Sequence, residues 1–119
     1  MTDSIFTKII KGEMPCHKIY EDEKTIAFLT IAPVREGHTL VVSKSQVDQY
    51  LDLADEDYAA LWQTVKKVGS RLRAVSGKQR VGLAIKGVDV PHTHVHLVPF
   101  NPGEDIGADT NPSTASDED

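Results

Sequence analysis

Apolar residues along the chain follow two periodicities, and the first of them predicts strands. Residues 25–31, 38–43, 80–86 and 92–100 are short runs rich in branched and aromatic side chains, with turn-forming residues between them, and IYED at 19–22 precedes them. Runs of this length and composition are typical of β-strands. Because the links between successive strands are short, we expect an antiparallel sheet of about five strands.

The second periodicity is helical and is clearest in the middle of the chain. One apolar stripe recurs at helical spacing, formed by Tyr58, Leu61, Trp62, Val65, Val68, Leu72 and Val75. Acidic residues at 55–57 suit the start of this long helix, and Gly77 is a natural stop. A short N-terminal helix is predicted over IFTKIIKGE, capped by Asp3 or Ser4. The order α-β-β-β-α-β-β predicts an α+β fold with its helices on one side of the sheet.

Length and composition predict one domain followed by a tail. The 119 residues fit a single compact domain over residues 1–100. Residues 101–119 are polar and acidic and contain no Lys or Arg, so we expect a flexible, solvated C-terminal tail. The tail carries much of the formal charge of −5, and the body is close to neutral. A near-neutral body lacks the basic footprint of a nucleic-acid-binding protein.

The chain also lacks the marks of membrane insertion and secretion. Its apolar runs are far shorter than the roughly 20 residues that span a bilayer, and the N-terminus has no apolar core of signal-peptide length. The single cysteine, Cys16, cannot form an internal disulfide. These features predict a cytoplasmic protein that does not bind membranes.

Three of the five histidines, His92, His94 and His96, alternate along the last predicted strand. Alternate strand residues share a face, so we expect the three rings to line one accessible surface at intervals of about 6.6–7 Å. Scattered surface histidines and a metal site completed by His38 are alternatives, although three rings spread over about 13 Å do not converge on one ion. A row of imidazoles able to act as nucleophile, acid or hydrogen-bond donor is the favoured interpretation.

The stretch HTHVHLV at 92–98 resembles the signature of the histidine triad nucleotide-binding superfamily, in which histidines alternate with hydrophobic residues. Residues 4–44 and 51–69 resemble the Hint-like branch of that family in order and spacing. The resemblance implies a homodimer of α+β subunits that binds purine nucleotides and cleaves at the α-phosphorus. It makes an enzyme the leading hypothesis, a regulatory nucleotide-binding protein the second, and a metal-dependent hydrolase the third.

The resemblance also assigns roles to residues. It implies that His94 is the nucleophile, that His96 bonds the α-phosphate, and that His92 and His38 orient the row. It places the base in an apolar slot formed by Ile5, Phe6, Ile9, Phe28 and Ile31. For each of these five residues, a place in the hydrophobic core is the alternative.

The chain departs from the family pattern at several of its positions. Thr30 stands where the branch usually has an aspartate that holds the ribose hydroxyls, and KGVDVPH at 86–92 replaces a Gly-Gln-Ser/Thr loop. In that loop Asp89 falls near the serine position, where it is either a plain loop residue or meets an amine leaving group. Ser4, Thr7 and Gln46 occupy the positions at which some bacterial relatives hold zinc, so no metal and no cofactor are expected. We interpret Cys16 and His17 as ordinary surface or loop residues.

Overall fold

The computed structural model describes residues 2–31, 33–85 and 90–104, and within these ranges it places two α-helices and five strands. The elements in chain order are α1 Ile5–Ile10, β1 His17–Glu21, β2 Thr25–Leu29, β3 Thr39–Ser43, α2 Asp55–Ser76, β4 Arg80–Ala84 and β5 His94–Phe100. A 3-10 turn, Tyr50–Asp52, precedes α2. The predicted element order and the α+β fold class are confirmed.

All five strands form one antiparallel sheet in the order β1-β2-β3-β5-β4. Consecutive strands pair except where α2 intervenes, and β5 then inserts between β3 and β4. In the β3–β5 pair, Val42 lies opposite His94 and Leu40 lies opposite His96. Because residues directly opposite each other share a face, the register puts both histidines on the Leu40 and Val42 side of the sheet.

The other face of the sheet packs against α2. Its core contains Ala27, Val41, Val95 and Leu97 from the strands, and Leu61, Val65, Val68 and Leu72 from the helix. Three acidic residues occupy the first turn of α2, where they suit the positive end of the helix dipole. The helix ends at Gly77, whose φ of 75° is a left-handed conformation that glycine adopts without steric cost.

The prediction that both helices lie on one side of the sheet is wrong for α1. Phe6 of α1 packs with Ile26, Phe28, Leu40 and Val42, on the face opposite to α2. The helix is also shorter than predicted. It ends at Ile10 because Gly12 at φ 80° allows the Gly12 and Glu13 amides to bond back to the carbonyls of Ile9 and Lys8. These two bonds form a Schellman motif, which closes the helix.

The last strand begins two residues later than predicted, at His94 instead of His92. The His92 amide bonds to the Val90 carbonyl, and the Thr93 amide bonds to the Val47 carbonyl. The hydrogen-bonded pairing between β3 and β5 therefore starts at His94 and does not include His92. Consequently, His92 does not continue the row of histidines and is fully buried. His94 is also buried, at 3% exposure, so the prediction that all three rings line an accessible surface is wrong for both residues.

Some of the predicted features lie outside the described residues. Asp89 is one of them, and the predicted tail is described only as far as Glu104. This first part of the tail is attached to the domain, because Asn101 Oδ1 accepts a bond from the Gln79 amide and Glu104 lies 3.6 Å from Arg35. Within the described ranges, no helix combines the length and apolar character needed to cross a bilayer.

Candidate active site

A cavity of about 530 Å³ lies on the α1 side of the sheet. Its walls come from α1, the segment that leads into β1, the last residues of β2, the first residues of β3, and β5 with the segment before it. The lining residues are Ile5, Phe6, Ile9, Met14, Pro15, Cys16, His17, Phe28, Leu29, Thr30, Ile31, His38, Leu40, Val90, His94 and His96. The lining is mostly apolar, and none of these residues carries a fixed charge at neutral pH. The volume and the character of the walls are typical of a small-molecule site.

His94, the first residue of β5, has one ring nitrogen fixed by the backbone. Its Nδ1 lies 2.7 Å from the His92 carbonyl oxygen. Since a carbonyl only accepts, Nδ1 carries the proton and donates it. In the neutral ring Nε2 is then unprotonated, with a lone pair available for bond formation. The edge of the Phe6 ring packs against the imidazole at a centroid distance of 4.8 Å and restricts its rotation.

A chain of hydrogen bonds sets the proton positions of His38 and His96. The Val34 amide donates to His38 Nδ1 at 3.0 Å, so this nitrogen is unprotonated in the neutral ring. His38 Nε2 then carries the proton and donates it to His96 Nδ1, also 3.0 Å away. The neutral His96 ring consequently has its own proton on Nε2. A backbone amide thereby determines that His96 is a donor at Nε2.

His92 lies deeper on the same side of the sheet, under the start of α1. Its Nε2 donates to the Ser43 carbonyl of β3, and its Nδ1 lies 2.6 Å from the Ser4 hydroxyl. The ring is not among the residues that line the cavity. His92 therefore contacts the site through its carbonyl oxygen, which holds the His94 ring.

Burial keeps His38 and His92 neutral near pH 7. It lowers the pKa of His38 below the ordinary histidine value. Burial also lowers the pKa of His92, an effect that the hydrogen bond to Ser43 partly opposes and the neighbouring His94 ring reinforces. The proton positions derived above from the hydrogen bonds apply only while these histidine rings are neutral.

The residues predicted for the base slot all line the cavity, at different depths. Phe6 and Phe28 are buried, with their ring centroids 5.8 Å apart, and form the floor. Ile31 is 94% exposed and contributes only at the rim. Thr30 also lies at the rim, directly after β2, and its amide donates to the His38 carbonyl at 3.2 Å.

The interpretation of Cys16 and His17 as ordinary surface or loop residues is incomplete, because His17 is exposed as predicted but both residues line the cavity. His17 begins β1 and pairs with Leu29 at the end of β2, which brings it beside Thr30. The sequence held one indication of this placement, the apolar residues at the end of the second predicted strand. A strand that pairs with that end also borders the apolar slot. Burial raises the pKa of the Cys16 thiol. Sequence reasoning also missed Met14, Pro15, Leu29, Leu40 and Val90.

Ser4, Thr7 and Gln46, the residues at which the resemblance implied a loss of zinc ligands, form one hydrogen-bonded group with His92. Gln46 Oε1 accepts from the Ser4 amide at 2.8 Å and from the Thr7 hydroxyl at 2.6 Å. An amide and two hydroxyls are poor ligands for zinc in comparison with thiolates. Among the residues that the structure describes, no three or more histidine, cysteine, aspartate or glutamate side chains are grouped so as to hold a metal ion.

Comparison with known proteins gives the same fold and the same motif. A family model described as the HIT domain matches residues 11–103. In solved structures, a Hit-like protein from Bartonella henselae superposes with a TM-score of 0.81 at 29% identity, covering 85% of this chain and 82% of that one.

Two relatives carry functional names. An adenosine 5'-monophosphoramidase of Schizosaccharomyces pombe is 35% identical over 87% of this chain and 77% of its own length. An adenylylsulfatase of Arabidopsis thaliana is 29% identical over 82% of this chain, and the match spans about half, 52%, of that longer protein. The family model covers most of the chain, and the residues it matches include the alternating histidines; this protein belongs to the HIT domain family.

Proposed function

We propose that this protein binds a purine nucleotide conjugate, such as a nucleoside phosphoramidate, and cleaves it at the α-phosphorus through a covalent nucleotidyl-His94 intermediate. The observation that carries the proposal is the hydrogen bond from His94 Nδ1 to the His92 carbonyl. This bond leaves Nε2 unprotonated in a ring that lines the cavity. An imidazole in this state is a competent nucleophile at neutral pH.

The reaction has two displacements at phosphorus. In the first, the Nε2 lone pair forms a bond to the α-phosphorus while the bond to the leaving group breaks, and the departing amine takes up a proton. In the second, water attacks the phosphorus, the N–P bond breaks and its electron pair returns to Nε2, while the water loses a proton. The products are a nucleoside monophosphate and the free amine, and the imidazole is restored.

The charge that develops on the phosphate oxygens requires a donor next to the nucleophile. His96 is two residues from His94 on the same face, with a ring centroid distance of 5.0 Å. Its Nε2 proton, set by His38, is suited to bond a phosphate oxygen. Because the described cavity walls carry no fixed positive charge, stabilisation by neutral donors fits a substrate with a singly charged α-phosphate.

The base and the leaving group are proposed on different grounds. The apolar floor of Phe6 and Phe28 offers ring faces and edges to a flat purine base. Two relatives named for hydrolysis of nucleotide conjugates, a phosphoramidase and an adenylylsulfatase, support a bond between the α-phosphorus and a nitrogen or sulfate oxygen as the one cleaved.

The proposal includes a homodimer in the cytoplasm. Strand β4 is an edge of the sheet, and Leu83 on it is exposed next to a shallow groove between β4 and α2. A second copy paired along this edge covers both the apolar residue and the open strand. Light scattering is expected to give twice the mass of one chain, and Leu83→Asp to shift the equilibrium toward monomers. A wild-type mass of one chain contradicts the dimer.

Intact-mass spectrometry tests the covalent step. The protein is mixed with adenosine phosphoramidate, quenched without acid because a phosphoramidate bond is acid-labile, and digested to locate the added mass. We expect one adenylyl group on His94, and none in His94→Ala. Val75→Ala, a substitution at an exposed position of α2, is the control for effects of mutagenesis and sample preparation. Binding of nucleotide with neither adduct nor product identifies a nucleotide-binding protein and contradicts the enzyme.

A metal-dependent hydrolase using His38, His94 and His96 is less compatible with the hydrogen bonds. His38 Nε2 and His96 Nδ1 bond each other, and His38 Nδ1 accepts the Val34 amide. Both nitrogens of His38 are thus engaged within the protein. Stoichiometric zinc in the purified protein, together with loss of turnover when the zinc is chelated, would support the metal-dependent hydrolase.

A further inference from the structure

The Ser4 hydroxyl takes part in two structural tasks at once. It accepts the Thr7 amide at 3.0 Å and so caps the N-terminus of α1. It also lies 2.6 Å from His92 Nδ1, 88 residues away in the sequence. Both contacts are in a buried environment, since Ser4 is 7% exposed and His92 is fully buried. A single hydroxyl therefore connects the start of α1 to the residue before the nucleophile.

The proton positions in this contact follow from the fixed donors and acceptors around it. The Ser43 carbonyl only accepts, so the proton of neutral His92 is on Nε2, and Nδ1 is the acceptor. Ser4 Oγ already accepts from the Thr7 amide, and its own proton points to the nearer acceptor. That acceptor is His92 Nδ1 at 2.6 Å, because Thr7 Oγ1 is 3.3 Å away. Ser4 thus donates to His92.

Gln46 fixes the position of this hydroxyl from the other side. Its Oε1 accepts the Ser4 amide and the Thr7 hydroxyl, and its Nε2 donates to the Thr2 carbonyl at 2.9 Å. The first turn of α1 is therefore tied to the segment after β3 by three hydrogen bonds. Neither Ser4 nor Gln46 lines the cavity, so neither is placed to touch substrate.

We propose that Ser4 is a positioning residue that sets the orientation of the nucleophile through His92. The path has two links: Ser4 donates to the His92 ring, and the His92 carbonyl accepts the His94 Nδ1 proton. With its ring held between Ser4 and Ser43, the His92 peptide has one orientation, and its carbonyl selects the Nδ1-protonated form of His94. The kinetic part of this proposal rests on the proposed function; the structural part does not.

The same hydroxyl couples nucleophile orientation to the substrate wall. Helix α1 carries Ile5, Phe6 and Ile9 of the cavity lining, and Phe6 packs edge-on against both His92 and His94. Loss of the cap and loss of the His92 contact therefore have to be separated in any test. Position 4 permits this, because glycine is nearly as good an N-cap as serine, whereas alanine is not.

Three substitutions make the separation. Ser4→Thr keeps both the cap and the hydroxyl proton, Ser4→Gly keeps most of the cap stability without the hydroxyl, and Ser4→Ala removes both. We expect Ser4→Gly and Ser4→Ala to lower kcat by about tenfold to 10²-fold, with KM within about threefold, and Ser4→Thr to remain close to wild type. Asp3→Ala is the matched control, because it breaks the exposed ion pair to Lys11 on the same helix without contacting His92.

A purely structural role for Ser4 gives a different pattern. Turnover would then follow thermal stability, so that Ser4→Gly would resemble wild type and only Ser4→Ala would be impaired. That result overturns the proposal. Activity of Ser4→Ala within about twofold of wild type, after correction for the folded fraction, overturns it as well.

Imidazole ¹⁵N NMR tests the positioning without substrate. We expect His94 of the wild-type protein to be in the Nδ1-protonated form, and the Nε2-protonated form to increase in Ser4→Gly and Ser4→Ala but not in Asp3→Ala. An unchanged His94 tautomer in Ser4→Gly overturns the proposal. If the tautomer shifts as expected but the wild type neither forms an adduct nor turns over any purine conjugate, the proposed function fails and the positioning stands.

Discussion

The two faces of the sheet differ in what covers them, and β5 contributes alternate residues to each. On one face the 22-residue α2 packs against Val95 and Leu97, which are almost completely buried. On the other face the six-residue α1 covers only part of the sheet, and His94 and His96 line the cavity left beside it. Adjacent residues of one strand therefore belong to a packed core and to a candidate active site.

This difference separates stability from chemistry within a single strand. A side chain under α2 contributes through burial and packing, and its loss leaves a cavity in a close-packed core. A histidine that lines the cavity on the α1 face borders open space on one side, so its loss removes a chemical group at a smaller cost in packing. Substitutions at positions 94 to 97 are thus expected to divide into two classes, with 94 and 96 at the cavity and 95 and 97 in the core.

The largest effect is expected for His94→Ala. Removing the nucleophile eliminates the covalent step, so turnover of a purine phosphoramidate falls roughly 10³-fold or more. The free energy of unfolding, measured by urea titration, is expected to fall by only about 1–2 kcal/mol, because the ring is 3% exposed and bonds the His92 carbonyl but borders the cavity instead of the core under α2. Substantial unfolding of this variant would contradict the division between the two faces.

Leu97→Ala is the matched substitution on the opposite face. Leu97 is 2% exposed and packs in the core under α2. Its truncation is expected to lower the free energy of unfolding by about 2–5 kcal/mol. For the folded fraction, kcat/KM stays within about threefold of wild type. A large loss of kcat/KM without loss of stability would show that the two faces are not independent.

His38→Ala tests a residue whose effect on catalysis passes through another ring. Without His38, His96 Nδ1 loses the hydrogen bond that places its own proton on Nε2, and the α-phosphate loses a positioned donor. We expect kcat to fall about 10²-fold, the usual scale for assistance by a positioned imidazole. The adduct on His94 should still form, more slowly, in rapid-quench experiments. An unchanged rate of adduct formation would contradict the role of the His38–His96 pair.

The sequence predicted the apolar half of this comparison better than the polar half. Alternation and helical periodicity determine which residues face a core, so the element order and the middle of the α2 stripe were predictable; the stripe was wrong at its two ends, where Tyr58 and Val75 are exposed. The position of His92 was not predictable, because the amides of residues 92 and 93 bond to the carbonyls of Val90 and Val47 instead of pairing with β3. The side on which α1 packs was not predictable either, since the single apolar stripe of this six-residue helix, formed by Ile5, Phe6, Ile9 and Ile10, suits either face of the sheet.

Residues brought in from distant segments were the hardest to assign. Cys16 and His17 looked like surface residues because nothing in their local pattern shows that β1 pairs with the end of β2. Ser4 was recognised as one of two candidate caps of α1 and, with Gln46, as a poor metal ligand. Their hydrogen bonds to each other and to His92 depend on three segments that meet only in the folded chain. The family resemblance supplied roles for the triad but not for this network.

The stability of the two faces is expected to respond differently to acid. On the cavity face, the pKa values of His38 and His92 lie below the ordinary 6.5. As pH falls below about 6.5 the unfolded chain takes up protons that the folded chain does not, so the free energy of unfolding decreases. The limiting slope is about 1.4 kcal/mol per pH unit for each histidine, and above pH 6.5 their contribution is constant.

On the α2 side, Asp22 in the turn between β1 and β2 accepts a hydrogen bond from Thr64 of α2 and titrates at much lower pH. Burial raises its pKa, but bonds from the Lys24 and Thr25 amides and from the Tyr20 and Thr25 hydroxyls outweigh this and lower it to about 2. Its contribution to stability is therefore retained until the pH falls below about 4. Urea midpoints between about pH 5 and pH 8 isolate the histidines, and His38→Gln should reduce the slope. A midpoint independent of pH in this range contradicts the burial of neutral rings.

The smallest effect is expected at the rim of the cavity, where Thr30 lies. A threonine offers one neutral hydroxyl to the sugar, and its discrimination between ribose and 2'-deoxyribose should be less than about tenfold. In Thr30→Asp a carboxylate accepts from the ribose hydroxyls, and hydrogen bonds to a charged group are the stronger ones. We expect the ratio of kcat/KM for ribo- over deoxyribo-conjugates to rise by about tenfold, with Thr30→Asn giving a smaller increase. An unchanged ratio in Thr30→Asp would show that the sugar does not reach this rim.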